Sequence, residues 1–202
     1  PSSSQSFIYN FQQNFANSPA VALGNSLTYS ALHDFSINNL AANKFAVYPS
    51  TVSNSQINFQ FDYSSPLWSR VRLNFWASTH NQIQLGHFKV GTPIHLDNIQ
   101  TLGSCNCALA YANINAPFAQ SDNPVIRVFI NGFDVSSNLL QISVSPTNLQ
   151  GTKLTVRITV GAQTALRSIW LSWLAFSPST ASFGSYGGQV SQSKYSGSVS
   201  SD

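Results

Sequence analysis

The sequence contains no glutamate and no methionine, and its 202 residues include only six Asp and nine Lys or Arg. Charged residues make up 7% of the chain, against about 25% in ordinary soluble domains. General acid–base chemistry needs positioned groups with shifted pKa values. Here the few Asp form no close pair at the usual spacings. His33-Asp34 is adjacent in sequence, which does not establish a triad, and no G-x-S-x-G turn is present. The chain is therefore read as having no catalytic residues. The basic residues are scattered and form no stripe, so the net charge of +3 does not make a surface for phosphates, and no nucleic acid partner is expected.

Long apolar runs are also missing. The most apolar stretch is Ser168 to Phe176, S-I-W-L-S-W-L-A-F, with two of the four tryptophans and no charge. A membrane-spanning helix needs about 20 such residues, so no membrane span is expected. Cysteine is limited to Cys105 and Cys107, in C-N-C. Structural zinc wants four ligands, and His87 and His95 supply no standard spacing, so neither metal nor cofactor is expected. Three states of the thiols stay open: free, bridged to each other, or bridged to another chain. No N-x-S/T sequon occurs, which leaves O-linked sites on Ser or Thr, or glycans carried by a partner.

In place of charge, the polar surface is Ser, Asn, Gln and Thr. Hydrophobic content is 43% and aromatic content 12%, which marks a globular chain. With little charge to hold copies apart, its surfaces associate easily. This fits a secreted protein of unusual composition, and it also fits a protein meant to assemble. Pro1 is consistent with a mature N-terminus whose signal has been removed, and the expected location is secreted, extracellular or at the cell surface.

The pattern along the chain is short strands with frequent turns. Gln56 to Tyr63 alternates strictly, with Ile57, Phe59 and Phe61 on one face. Ser168 to Phe176 reads as a strand buried on both faces. Residues 1–6 read as a polar lead-in, Phe7 to Phe15 as the first strand, and Pro49 as a strand end. The order then repeats. F-A-N-S-P at 15–19 is similar to F-A-Q-S-D-N-P at 118–124. Pro49 and Pro146 each precede a turn and an alternating strand. Leu73 and Ala77 correspond to Leu171 and Ala175. The predicted architecture is all-β, with two tandem antiparallel β-sandwiches at 1–80 and 81–178 and a Ser/Gly-rich tail at 179–202.

The stretches S-V-S-P-T-N-L-Q-G-T-K-L-T-V-R-I-T-V (143–160) and L-R-S-I-W-L-S-W-L-A-F (166–176) resemble the H-type lectin domain of snail agglutinins and discoidin C-terminal domains. Gly86, Phe118 to Val125, Val144 to Leu149 and Trp173 to Ala175 match its hallmarks. The first half matches less closely, with Phe75-Trp76-Ala77 at the end of its last strand. The resemblance implies six-stranded sandwiches that bind galactose or N-acetylgalactosamine. The family's Trp-His sugar pair is absent: Gly161 and Ala162 stand there in the second half, Tyr63 and Ser64 in the first. The candidate carbohydrate residues are Asp62, Tyr63 and the nearby Trp68.

The first half lacks a counterpart of the strand carrying Gly86, and the chain ends in a spare segment. Phe183-Gly184-Ser185-Tyr186 is similar to Leu85-Gly86-His87-Phe88, and Val190 continues the apolar pattern. Phe183, Gly184, Tyr186 and Val190 are therefore the candidate assembly strand. It would complete the first half of its own chain or of a neighbour; a plain linker is the third reading. The function expected is an extracellular building block that joins copies of itself head to tail, with a soluble galactose-type lectin as the alternative and glycans as further partners.

Overall fold

A computed structural model describes residues 3–26, 34–37, 44–64, 72–91, 107–114, 118, 123–137, 140–162 and 164–177. They form twelve strands: β1 (Ser3–Asn10), β2 (Ala20–Ser26), β3 (Asp34–Ile37), β4 (Lys44–Val52), β5 (Gln56–Tyr63), β6 (Arg72–Ser78), β7 (Ile83–Gly91), β8 (Cys107–Asn113), β9 (Val125–Val135), β10 (Leu140–Gln150), β11 (Lys153–Val160) and β12 (Leu166–Phe176). All the pairings are antiparallel. No helix long and apolar enough to cross a membrane occurs among the described residues.

The alternation in the sequence sets the faces. On β11, Leu154, Val156, Ile158 and Val160 are buried while Lys153 and Arg157 are exposed. On β5, Ile57 and Phe59 are fully buried. The first strand starts earlier than the apolar pattern suggests. Ser3 to Ser6, read as a lead-in, pair in register with Tyr63 to Gln60. Backbone groups form this ladder whatever the side chains, so polar residues at a sheet edge carry no strand signature. Pro49 and Pro146 do not end strands either. Each lies inside one, and the register slips immediately after it, between Pro49 and Thr51 and between Pro146 and Asn148. A bulge accommodates a residue that cannot donate to the ladder.

Three sheets result. One has six strands in the order β1-β5-β4-β9-β12-β7. One has four, β3-β10-β11-β8. The third is the pair β2-β6. The two halves of the chain follow one strand plan. β1-β5-β4 in the first matches β8-β11-β10 in the second, and β2-β6 matches β9-β12. The agreement reaches single bonds. Phe11 N–H donates to the Ser55 carbonyl, and the equivalent Ile114 N–H donates to that of Thr152. The residue facing Pro49 is Phe59; the one facing Pro146 is Val156.

The halves do not keep separate sheets. The boundary expected near residue 80 falls in the turn between β6 and β7, but two ladders join residues from either side of it. Lys44, Phe45 and Ala46 pair with Asp134, Phe133 and Gly132, and β3 pairs with β10. Here β4 and β10, edge strands within each half's plan, gain a partner from the other half. Gly132 permits the first of these contacts. A Cβ there would come within 2.4 Å of both the Ala46 Cα and the Phe45 carbonyl oxygen.

β12 is buried on both faces, as its composition suggests. One face (Ile169, Leu171, Trp173, Ala175) joins the main core with Leu154, Val156 and Ile158. On the other, Leu174 and Phe176 pack with Leu85 and Ala22, with Trp76 and Phe129 alongside. The Trp76 and Phe129 rings stack at 5.1 Å. Ser172 is a fully buried polar residue on that face. Its hydroxyl oxygen accepts from the Leu23 N–H at 3.1 Å and from the Asn131 amide, so β2 is hydrogen-bonded onto the back of β12.

Candidate functional site

The equivalence of the halves exposes one difference. β12 is flanked by β9 on one edge and β7 on the other. Its counterpart β6 is flanked by β2, and among the described residues no strand pairs with its second edge. The place held by β7 in the second half has no described occupant in the first. Burial follows. Trp173, Leu174, Ala175 and Phe176 are all buried, whereas Phe75, Trp76, Ala77 and Ser78 are half-buried. The neighbouring strand is affected too. Ala110 and Ala112 of β8 are 5% and 7% exposed, but their counterparts Phe7 and Tyr9 of β1 are 44% and 41% exposed. Those two rings lean on Phe59 and Phe75, at 5.2 and 4.9 Å. A strand edge that no described strand pairs, beside partly exposed aromatic rings, is a template for another strand.

The occupied site in the second half shows what such a strand must supply. Gly86 lies opposite Trp173, and a Cβ on it would sit 2.6 Å from the indole. Glycine is required because the ring lies flat over the strand backbone.

A second feature lies where the halves join. One row of paired residues crosses the six-stranded sheet: Lys89, Trp170, Gly132, Ala46, Asp62 and Ser4. Glycine and alanine in mid-row leave a trough between larger side chains. The hollow holds about 260 Å³ and is lined by Lys44, Tyr48, Asp62, His87, Phe88, Lys89 and Trp170. Tyr48 stacks with Trp170 at 15° between planes. Lys89 Nζ lies 4.6 Å and Lys44 Nζ 5.8 Å from the indole centroid, a cation–π arrangement from both halves.

Asp62 anchors one wall. Its carboxylate accepts from the Ser4 hydroxyl at 2.7 Å and the Tyr48 phenol at 3.2 Å, and it pairs with Lys44 at 3.4 Å. Partial burial pushes its pKa up, but the Ser4 bond, and then Lys44 and Tyr48, outweigh burial and hold the carboxyl below its ordinary range. Tyr48 is shifted upward, by desolvation first and then by the Asp62 charge and hydrogen bond. His87 keeps an exposed edge, yet desolvation by the surrounding sheet lowers its pKa, against a hydrogen bond with the Val21 backbone.

Asp62 and Tyr63 are not brought together. They are consecutive on β5 and point to opposite faces. Tyr63 stacks on Phe61 at 5.0 Å, away from the hollow. Trp68, Cys105, Phe183, Gly184, Tyr186 and Val190 lie outside the described residues. Cys107 takes part in a disulfide and lies in β8, buried, with its sulfur 3.4 Å from the Thr159 hydroxyl. Sequence reasoning missed Lys44, Tyr48, His87, Lys89 and Trp170, which come from three strands far apart in the chain. Only the paired registers assemble them. Among the described residues no group of His, Cys and Asp side chains forms a metal-binding cluster. Comparison with protein families, with characterised proteins and with solved structures finds no match to this chain.

Proposed function

We propose that the protein is an extracellular structural building block whose copies join head to tail, each lending its C-terminal strand to the first half of the next. Both halves, 1–80 and 81–178, are read as H-type-lectin-like sandwiches, the first incomplete by one strand. The observation that carries this reading is the second edge of β6, which lacks among the described residues the neighbour that β12 has in β7.

The sequence of the tail supports this reading. The same offset of 98 residues relates Phe75 to Trp173 and Gly86 to Gly184. A donated strand would therefore set Gly184 against Phe75, the second half's solution for an aromatic ring lying on a strand. Phe183 would face Trp76, and Tyr186 would face Leu73. Strand addition supplies main-chain hydrogen bonds, with alternate side chains giving specificity. A head-to-tail contact of this kind need not close, and repeated it makes a filament. A surface with 7% charged residues offers little repulsion between copies.

The test is electron microscopy of the full chain beside a chain truncated after Pro178. The expected result is filaments or higher oligomers from the full chain alone. Discrete, identical particles from both samples would overturn the reading, and the galactose-type lectin would then take its place.

A further inference from the structure

The hollow between the halves holds more positive charge than its carboxylate neutralises. Lys44 and Lys89 supply two ammonium groups, and among the described residues Asp62 is the one carboxylate lining it. Asp62 is already spent on Lys44, Tyr48 and Ser4. Lys89 makes no ion pair among the described residues, where the pairs found are Lys44–Asp62 and Arg167–Asp134. Its ammonium lies over the face of Trp170. In a chain with so few charges, this convergence at the meeting line of two repeats is uncommon enough to need a reason.

The surroundings make the excess charge usable. Trp170 is 6% exposed and is packed against Tyr48, so it is a rigid floor. A rigid ring beneath Lys89 holds the ammonium in place and lowers the ordering cost of binding. The Lys89 side chain itself is exposed. His87, on the same face of β7 as Lys89, brings an imidazole to the same rim. The Tyr48 hydroxyl donates to Asp62 and keeps a lone pair free to accept. An oxyanion against Lys89, with hydroxyl partners at Tyr48 and His87 and an apolar wall of Trp170, describes a sugar ring bearing an acid group. A cavity of about 260 Å³ lies just below the usual range for drug-sized ligands, about 300–1,000 Å³, and suits one such ring.

We infer that the hollow lined by Lys89, His87, Tyr48 and Trp170 binds a single acidic saccharide unit, a uronic acid or a sulfated sugar, through its oxyanion. The site is built from both halves and is separate from the β6 edge, so it stands whether or not the chain polymerises.

Isothermal titration calorimetry on the full chain tests this, with glucuronic acid, glucose and sodium sulfate as probes. Glucuronate is expected to bind saturably and at least tenfold more tightly than glucose. Lys89→Gln should lose about that factor, which corresponds to roughly 1.4 kcal/mol, and Lys89→Arg should keep most of the binding. Lys89 is exposed, so neither variant is expected to unfold, and far-UV circular dichroism checks this. Glucose binding as well as glucuronate, or Lys89→Gln binding as well as the parent, would overturn the proposal. Sulfate binding as tightly as glucuronate would overturn its saccharide part. No heat with any probe would overturn it entirely.

Discussion

β6 and β12 hold the same place in two copies of one strand plan, and they end in different surroundings. β12 has a strand on each edge and packed side chains on each face. β6 has β2 on one edge, and its outer residues stay half-buried. The side chains are similar in kind: F-W-A at 75–77 against W-L-A at 173–175. Intrinsic strand preference thus does not decide how deeply each is buried. Neighbours decide it, and among the described residues the first half is one neighbour short. Its aromatic load is higher at the same place, Phe7 and Tyr9 where the second half has Ala110 and Ala112. The donor strand proposed above is itself small at that place: 184–188 reads G-S-Y-G-G.

The sharpest way to test that comparison is to remove the paired rings. Trp173 is 3% exposed, and Trp173→Ala should cost about 3–5 kcal/mol, the range for deleting a buried aromatic. Phe75→Ala should cost less in the isolated chain, about 1–2 kcal/mol, because its ring is only half-buried. Urea denaturation measures both. If the tail of another copy covers Phe75, the cost of Phe75→Ala should rise when the protein is assembled. Equal costs in both variants of the unassembled chain would mean that the β6 edge is not open.

The join between the halves should be the next most sensitive place. Gly132→Ala puts a methyl against the backbone of Phe45 and Ala46, which cannot give way as a flexible side chain can. Overpacking of this kind costs about 1–3 kcal/mol. It should also part β4 from β9 and open the trough, so glucuronate binding should fall with stability. A Gly132→Ala chain as stable as the parent in urea would show that the two halves are held elsewhere.

Much of the strand plan was legible because it rests on period-two alternation and on a repeat. β5, β11 and β12 were visible from Ile57-Phe59, Leu154-Val156-Ile158 and the tryptophan-rich run. Two kinds of element were not. Ser3 to Ser6 pair through backbone alone, without an apolar signal. Pro49 and Pro146 looked like strand ends because proline cannot donate, and a bulge removes that objection. The hollow was less legible still. Asp62 was singled out, but next to Tyr63, which faces away from it. Sequence neighbours on a strand lie on opposite faces, whereas Trp170, Ala46 and Asp62 share a row only after two ladders have joined distant segments.

The smallest effects concern protons, and they separate the halves again. In the first half Ser4 faces Asp62 and bonds to it. At the equivalent place in the second half Cys107 faces Thr159, with no carboxylate. Asp62 has a folded pKa below its ordinary value, so its stabilisation is present above the unfolded pKa, about 3.9, and is lost as pH falls through the folded value. His87 is also lowered. Its stabilisation is present above the unfolded pKa, about 6.5, because below that the unfolded chain takes up the proton first. Stability should therefore decline in two steps on acidification, one beginning near pH 6.5 and one below pH 4. Urea midpoints between pH 7.5 and 3 would resolve them. Asp62→Asn should remove about 1 kcal/mol at neutral pH and abolish the lower step alone. His87→Gln should abolish the upper step alone. A lower step that persists in Asp62→Asn would place the acid-sensitive carboxylate outside the first half's Ser4–Asp62–Lys44 cluster.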